Sequence, residues 1–224
     1  MRTLYEEEAV ILDFLPSGRP DDERPIYMRE SLAHAIGNIR FTLLELVVKR
    51  DVTLSAHERV FIGKENRDKI DYVKQKIKYD DLTGAAKSEL PFAVEKLVDE
   101  NKADYVEFFN RAGPITTRFH KFELLPKVGK KVMWDLITTR KKKPFASFED
   151  LRERIHLLQN AQKTVAKRIV DEIREVDKYI VLKNWRWDLL LEKQREERQG
   201  DREDGFRHTH SRRYTGPTYD IKTY

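Results

Sequence analysis

The stretch Phe122-Glu-Leu-Leu-Pro-Lys-Val-Gly-Lys-Lys-Val-Met-Trp-Asp-Leu-Ile-Thr-Thr-Arg140 decides how the rest of this chain is read. Leu124-Leu-Pro-Lys-Val-Gly129 interrupts a helical pattern with a short Pro/Gly turn, and a second helical pattern starts directly after Gly129. Thr116 to Glu123 is expected to form the first helix and Lys130 to Lys141 the second. Phe148 to Ile155 makes a third helix. Its start is marked by Ser147 and Asp150 in capping-box spacing, where a side-chain oxygen satisfies a free helix-start N–H.

This arrangement resembles the helix-hairpin-helix nucleic-acid-binding motif, in which an apolar residue sits between two turn glycines and a helix opens just behind them. Unpaired N–H groups at that helix start, with the positive end of the helix dipole, form a phosphate seat. The seat here is Lys127, Val128, Gly129, Lys130 and Lys131, with Arg140, Lys141, Lys142 and Lys143 extending the positive charge and Arg118 and Lys121 widening it. Two positions depart from the motif: Lys127 stands at the first turn glycine, and Met133 at a position usually small. A Lys enters the left-handed conformation only at steric cost, so a wider hairpin is expected.

The charge distribution points the same way. Of 224 residues, 39% are hydrophobic and 37% charged, and the formal net charge is +5. Residues 1–115 hold 18 Lys and Arg against 22 Asp and Glu, whereas residues 116–191 hold 18 against 10. A basic excess confined to the hairpin half favours a polyanion-binding surface. With no cysteine there is no disulfide, thiolate metal site or cysteine nucleophile. Glu6-Glu7-Glu8 before the first apolar run is the wrong charge for a secretory signal, and no run approaches the ~20 residues that span a bilayer. A cytoplasmic protein without membrane contact is expected.

Upstream, Glu8–Leu15, Ile26–Met28, Phe41–Val48 and Arg59–Gly63 read as short strands separated by loops, which suggests a small antiparallel barrel. From Glu65 the spacing of Ile70, Tyr72, Val73 and Ile77 turns helical, and further helices are expected over Asp81–Asn101 around Pro91 and through Tyr105–Phe109, ending at Gly113-Pro114. Ala161–Val176 is an amphipathic helix. With His156-Leu-Leu-Gln-Asn160 before it, it suggests a degenerate second hairpin paired with the first. Lys178–Leu182 reads as a strand, Trp185–Leu191 as an apolar helix or arm, and everything from Glu192 as a flexible charged tail. The expected fold class is α+β: residues 1–114 an OB-like β-barrel with helical additions, 115–191 an α-helical helix-hairpin-helix domain, and 192–224 the tail.

Several segments in order also resemble one archaeal family, domain-of-unknown-function family 655. They are Ala9-Val-Ile-Leu-Asp-Phe-Leu-Pro16, Phe41-Thr-Leu-Leu-Glu-Leu46, Glu58-Arg-Val-Phe-Ile-Gly63, Val106-Glu-Phe-Phe-Asn110, Ala112-Gly-Pro-Ile-Thr-Thr-Arg118 and the hairpin itself. The resemblance spans about residues 5 to 185 and implies a barrel followed by a helix-hairpin-helix region, described as RNA-binding, with no established reaction.

The expectation is a non-catalytic protein that grips the phosphate backbone of nucleic acid, RNA in preference to DNA, with no cofactor and no metal. One alternative is an adaptor in a ribonucleoprotein particle, recruiting protein partners through the tail. The other is a metal-dependent nuclease using Asp21 and Asp22. Tyr27, Phe41 and Phe61 on the strands are assigned to the core rather than to base stacking, and so are Trp134 and Trp185.

Overall fold

The structure, a computed structural model, describes residues 6–196. β1 (Glu8–Leu15) is buried on both faces: Val10 and Leu12 enter one apolar cluster and Ala9 and Ile11 another. Such a strand must be central, and β1 pairs antiparallel with both β2 (Leu32–Gly37) and β4 (Arg59–Phe61). β3 (Leu43–Val48) and β5 (Ile70–Lys76) complete a five-stranded antiparallel sheet in the order β4-β1-β2-β3-β5. Register shifts between Ile11 and Asp13, and twice along β3 and β5, bend the strands, and the sheet curls into a half-barrel around Ala33, Ala35, Leu44, Leu46, Val60 and Ile70.

The other face of the sheet supports the helices. α1 (Gly84–Glu100) lays Ala86, Leu90, Ala93, Val94 and Leu97 into the cluster that holds Val10, Leu12, Ile36 and Leu43. Thr83 caps its start by accepting from the Ala86 N–H at 3.1 Å. On this face a polar row crosses four strands in register, Asp13 beside His34 beside Glu45 beside Gln75. Arg19 and Gln75 donate to Glu45, while the Thr83 hydroxyl donates to Asp13 and its N–H to His34 Nδ1. Burial holds the His34 imidazole below its ordinary pKa, which keeps it neutral.

The cluster continues without a break through α2 (Lys102–Arg111) into α3 (Lys130–Lys142), α4 (Phe148–Arg154) and α5 (Ala161–Ile173), and on to Leu182. Phe108, Phe109 and Phe122 stack edge-on and face-on at its centre, with Phe148 and Trp185 edge-on beside them. Residues on either side of position 114 therefore share one core. The chain divides at Trp187/Asp188 into two compact units. Of the second unit, residues 188–196 are described and are helical. No helix among the described residues is long and apolar enough to cross a membrane.

Several elements differ from the sequence-based expectations. Thr116–Glu123 is not a helix: β6 (Pro114–Thr116) and β7 (Phe119–His120) form a hairpin, followed by a 3-10 turn at Lys121–Leu124. Ile26–Met28 is a 3-10 turn rather than a strand, and β2 forms over residues whose pattern marks no element. Residues 70–76 form the edge strand β5 in place of the expected helix. Lys178–Leu182 is not a strand, because Glu172 takes the backbone N–H groups that a neighbouring strand would take. Its carboxylate accepts from Val181, Leu182 and Lys183 at 2.8–3.1 Å, and from Arg168 Nε at 2.9 Å. Arg168 in turn donates to Asp177 and to the Tyr179 carbonyl. Residues 192–196, placed in the expected tail, are helical, and the remainder of that tail lies outside the described residues.

Both Arg168 and Glu172 are almost fully buried. Replacing Glu172 by Ala leaves the buried Arg168 Nε–H and three backbone amides without their acceptor, and should cost about 3–5 kcal/mol. Urea denaturation is expected to show this as a large fall in midpoint. Lys127 sits at φ 65°, where a side chain costs roughly 1–2 kcal/mol. Lys127→Gly should relieve that strain at a smaller unfolded-state entropy cost, giving about 0.5–1 kcal/mol of net stabilisation in the same assay.

Candidate nucleic-acid interface

The turn before α3 is tight, contrary to the wider hairpin that Lys127 suggested. Pro126 and Lys127 are its central residues, and the Val128 N–H donates to the Leu125 carbonyl at 3.1 Å. Pro fixes the first central φ, and Lys127 takes the left-handed second position that the motif gives to glycine. The side chains of Leu125 and Val128 are buried, so they anchor the turn while Lys127 remains exposed. Met133, where the motif has a small residue, fills the core.

Gly129 is the N-cap of α3, with extended backbone (φ −86°, ψ 179°) and no side-chain cap on the helix. A Cβ built on Gly129 would meet nothing within 4 Å, so the approach to the helix start is open. Lys130 and Lys131 in the first turn are exposed. Dipole, unfilled N–H groups and lysine charge thus coincide at one point.

A second turn lies close by. α4, residues 155–160 and α5 form a helix-turn-helix, and Asn160 opens α5 without a side-chain cap. This turn and the first line a common groove of about 310 Å³, whose walls include Pro126, Lys127, Leu157, Asn160, Lys163 and Lys167. No acidic side chain lines it. Lys163 and Lys167 were not among the expected site residues. The degenerate hairpin at His156–Asn160 was the available signal, since residues just past a turn that pairs with the first belong to the same surface.

The other expected residues separate into groups. Arg140 turns inward: Nη1 donates to the Phe109 carbonyl at 3.0 Å, its guanidinium lies 5.3 Å from the Phe122 ring centre, and desolvation lowers its pKa. Lys141, Lys142 and Lys143 are exposed but stand at the far end of α3, roughly 18 Å from Lys130 at 1.5 Å per residue. Arg118 lies at the exposed tip of the β6–β7 hairpin, and Lys121 begins the half-buried 3-10 turn, so the helical spacing expected to unite them does not exist.

Arg154 has a structural task. It donates to the carbonyls of Thr139, Lys143 and Pro144 and to Asp150 Oδ2, closing the C-terminus of α3 against α4. Asn110 clamps the same loop with a pair of hydrogen bonds to the Phe145 backbone at 2.7 and 3.0 Å. Elsewhere, Asp22 is engaged by the Arg24 guanidinium, which holds its carboxyl well below the usual carboxylate range.

Comparison with known proteins places this arrangement in a family. A crystal structure of Af1531 from Archaeoglobus fulgidus, titled as a DUF655 family model, is 45% identical, with a TM-score of 0.75 over 80% of this chain and 99% of that one. The uncharacterised protein MJ0038 of Methanocaldococcus jannaschii is 42% identical over 189 residues, 84% of each chain. The model of the family described as protein of unknown function (DUF655) matches residues 5–184, and the chain belongs to that family.

Proposed function

We propose that this protein is a non-catalytic, cytoplasmic nucleic-acid-binding protein that grips the phosphate backbone, of RNA in preference to DNA, at the two turns flanking the basic groove. The observation that carries this reading is the convergence of Lys127, Lys163 and Lys167 on one groove whose lining includes no acidic residue, beside two helix starts that lack side-chain caps. Lys163 also pairs with Glu95 at 3.5 Å, but Lys163 is exposed and Glu95 only half-buried, and such a pair yields readily to a phosphate.

In this reading residues 121–173 are a pair of helix-hairpin-helix units, the first with its leading helix reduced to a 3-10 turn. The curled sheet is an OB-like half-barrel offering a second contact surface. The preference for RNA follows the family resemblance. A second reading, a protein adaptor, is favoured by Ile26, Tyr27 and Met28, three consecutive large apolar side chains that are all exposed on the half-barrel side.

Fluorescence anisotropy with a labelled 20-nucleotide RNA over a salt series tests the first reading. Three or four phosphate contacts give a slope of roughly −2 to −3 in log K against log salt on a single strand. The variant carrying Lys127→Glu, Lys163→Glu and Lys167→Glu should lose at least about tenfold in affinity at moderate salt, with its slope flattened by about 2. Wild-type affinity in that variant would remove the groove from the mechanism.

A further inference from the structure

Trp134 was expected in the core, yet it is 60% exposed on the outer face of α3. The same face carries three exposed cations, Lys130 and Lys131 one turn before it and Lys141 about two turns after, with Ile137 and Thr138 between. Of the charged residues in α3 five are basic and one, Asp135, is acidic. Trp185 offers the contrast, since its indole N–H donates to the Asp104 carbonyl at 2.7 Å and its ring packs edge-on against Phe108. Trp134 has no comparable hydrogen-bond or ring partner among the described residues.

An exposed indole of this size, held on a helix with Lys130 and Lys131 on one side and Lys141 on the other, has the two components of a single-strand site: a π-face for a base and positive charge for the flanking phosphates. Along the helix axis Lys130 is about 6 Å from Trp134 and Lys141 about 10 Å, or roughly two and three nucleotide steps at ~3.4 Å each. A base inside a closed duplex has both faces covered by its neighbours, so only an unpaired, splayed or terminal base can present one to this ring.

We infer that Trp134 stacks on an unpaired base of the bound strand, so that the surface of α3 selects single-stranded or looped nucleic acid over a closed duplex. This rests on the phosphate-binding reading above and names its substrate class. The contacts are stacking and charge, which every base and every phosphate can make, and the preference is therefore for strandedness rather than sequence.

The test measures the full chain against a fluorescein-labelled oligo(U) 12-mer and a 30-base-pair RNA duplex labelled at one end, whose two terminal faces are a small share of its sites, at fixed salt. Trp134→Ala should weaken the oligo(U) complex by about 5-fold to 150-fold, the loss of one base stack, and leave duplex affinity and the salt slope unchanged. Trp134→Phe should retain most of the affinity. Unlabelled oligo(U) should quench the tryptophan emission of the wild type and should not quench that of Trp134→Phe, in which the other two tryptophans remain.

Because the side chain is exposed, an unchanged urea midpoint is expected for both variants and serves as the folding control. If Trp134→Ala binds oligo(U) like the wild type while the triple-lysine variant loses it, stacking is refuted and phosphate binding stands. Equal weakening on oligo(U) and duplex also refutes stacking. If the wild type binds neither probe, the phosphate reading fails and the inference falls with it; retention of a partner protein by the wild type and not by Trp134→Ala would then assign the face to protein.

Discussion

One buried carboxylate organises the basic half of this protein. Glu172 accepts from three successive backbone amides and from Arg168, and Arg168 passes the connection on to Asp177 and Tyr179. Burying two charges is favourable only when almost every donor and acceptor is used, and here the pair converts a polar liability into a fixed path for residues 177–183. That path delivers Trp185 to Phe108 and Arg186 to Asp104 and Asn38, which ties the last part of the unit to α2 and to the β2–β3 turn. The helices that carry the groove are held from this side.

Arginine and lysine divide the work of the basic excess. Arg140, Arg154 and Arg168 point inward and satisfy backbone carbonyls, a task suited to a planar guanidinium with several donors in fixed directions. Lys127, Lys130, Lys131 and Lys167 stay exposed, where a strongly hydrated ammonium on a flexible stem is at less cost. A charge count along the sequence does not separate these roles, which is why Arg140 was grouped with the lysines that follow it.

What could be read from the sequence was what local periodicity controls. The helices over 130–142, 148–154 and 161–173, the Ser147 cap, β1 and β3 follow from spacing alone. β2 was missed because alanines and a histidine alternate where β-branched residues would advertise a strand, and His34 is accommodated only by the polar row on the sheet. β5 was misread because, as a bulged edge strand with one buried residue, it has no period-two signal. The first hairpin helix failed for a tertiary reason: Phe122 turns into the aromatic cluster at the end of a short β-hairpin, and packing overrides the local pattern. The turn glycine replaced by Lys127 was read as a distortion, whereas Pro126 before it and the buried Val128 after it hold the left-handed conformation in place. Trp134 could not be placed by type, since large aromatics usually enter the core and only the orientation of α3 turned this one outward.

The core that crosses position 114 has a thermodynamic consequence. With Val10 and Leu12 of the half-barrel in the same apolar cluster as Leu136 and Val165 of the basic half, there is no boundary at which one half can melt and leave the other packed. By mass action, any ligand that bound only the folded unit would stabilise that unit as a whole, including strands it never touches. Protection of the β1 amides is thus set by the stability of the whole unit, with the packing of α3 and α5 counting as much as that of the sheet.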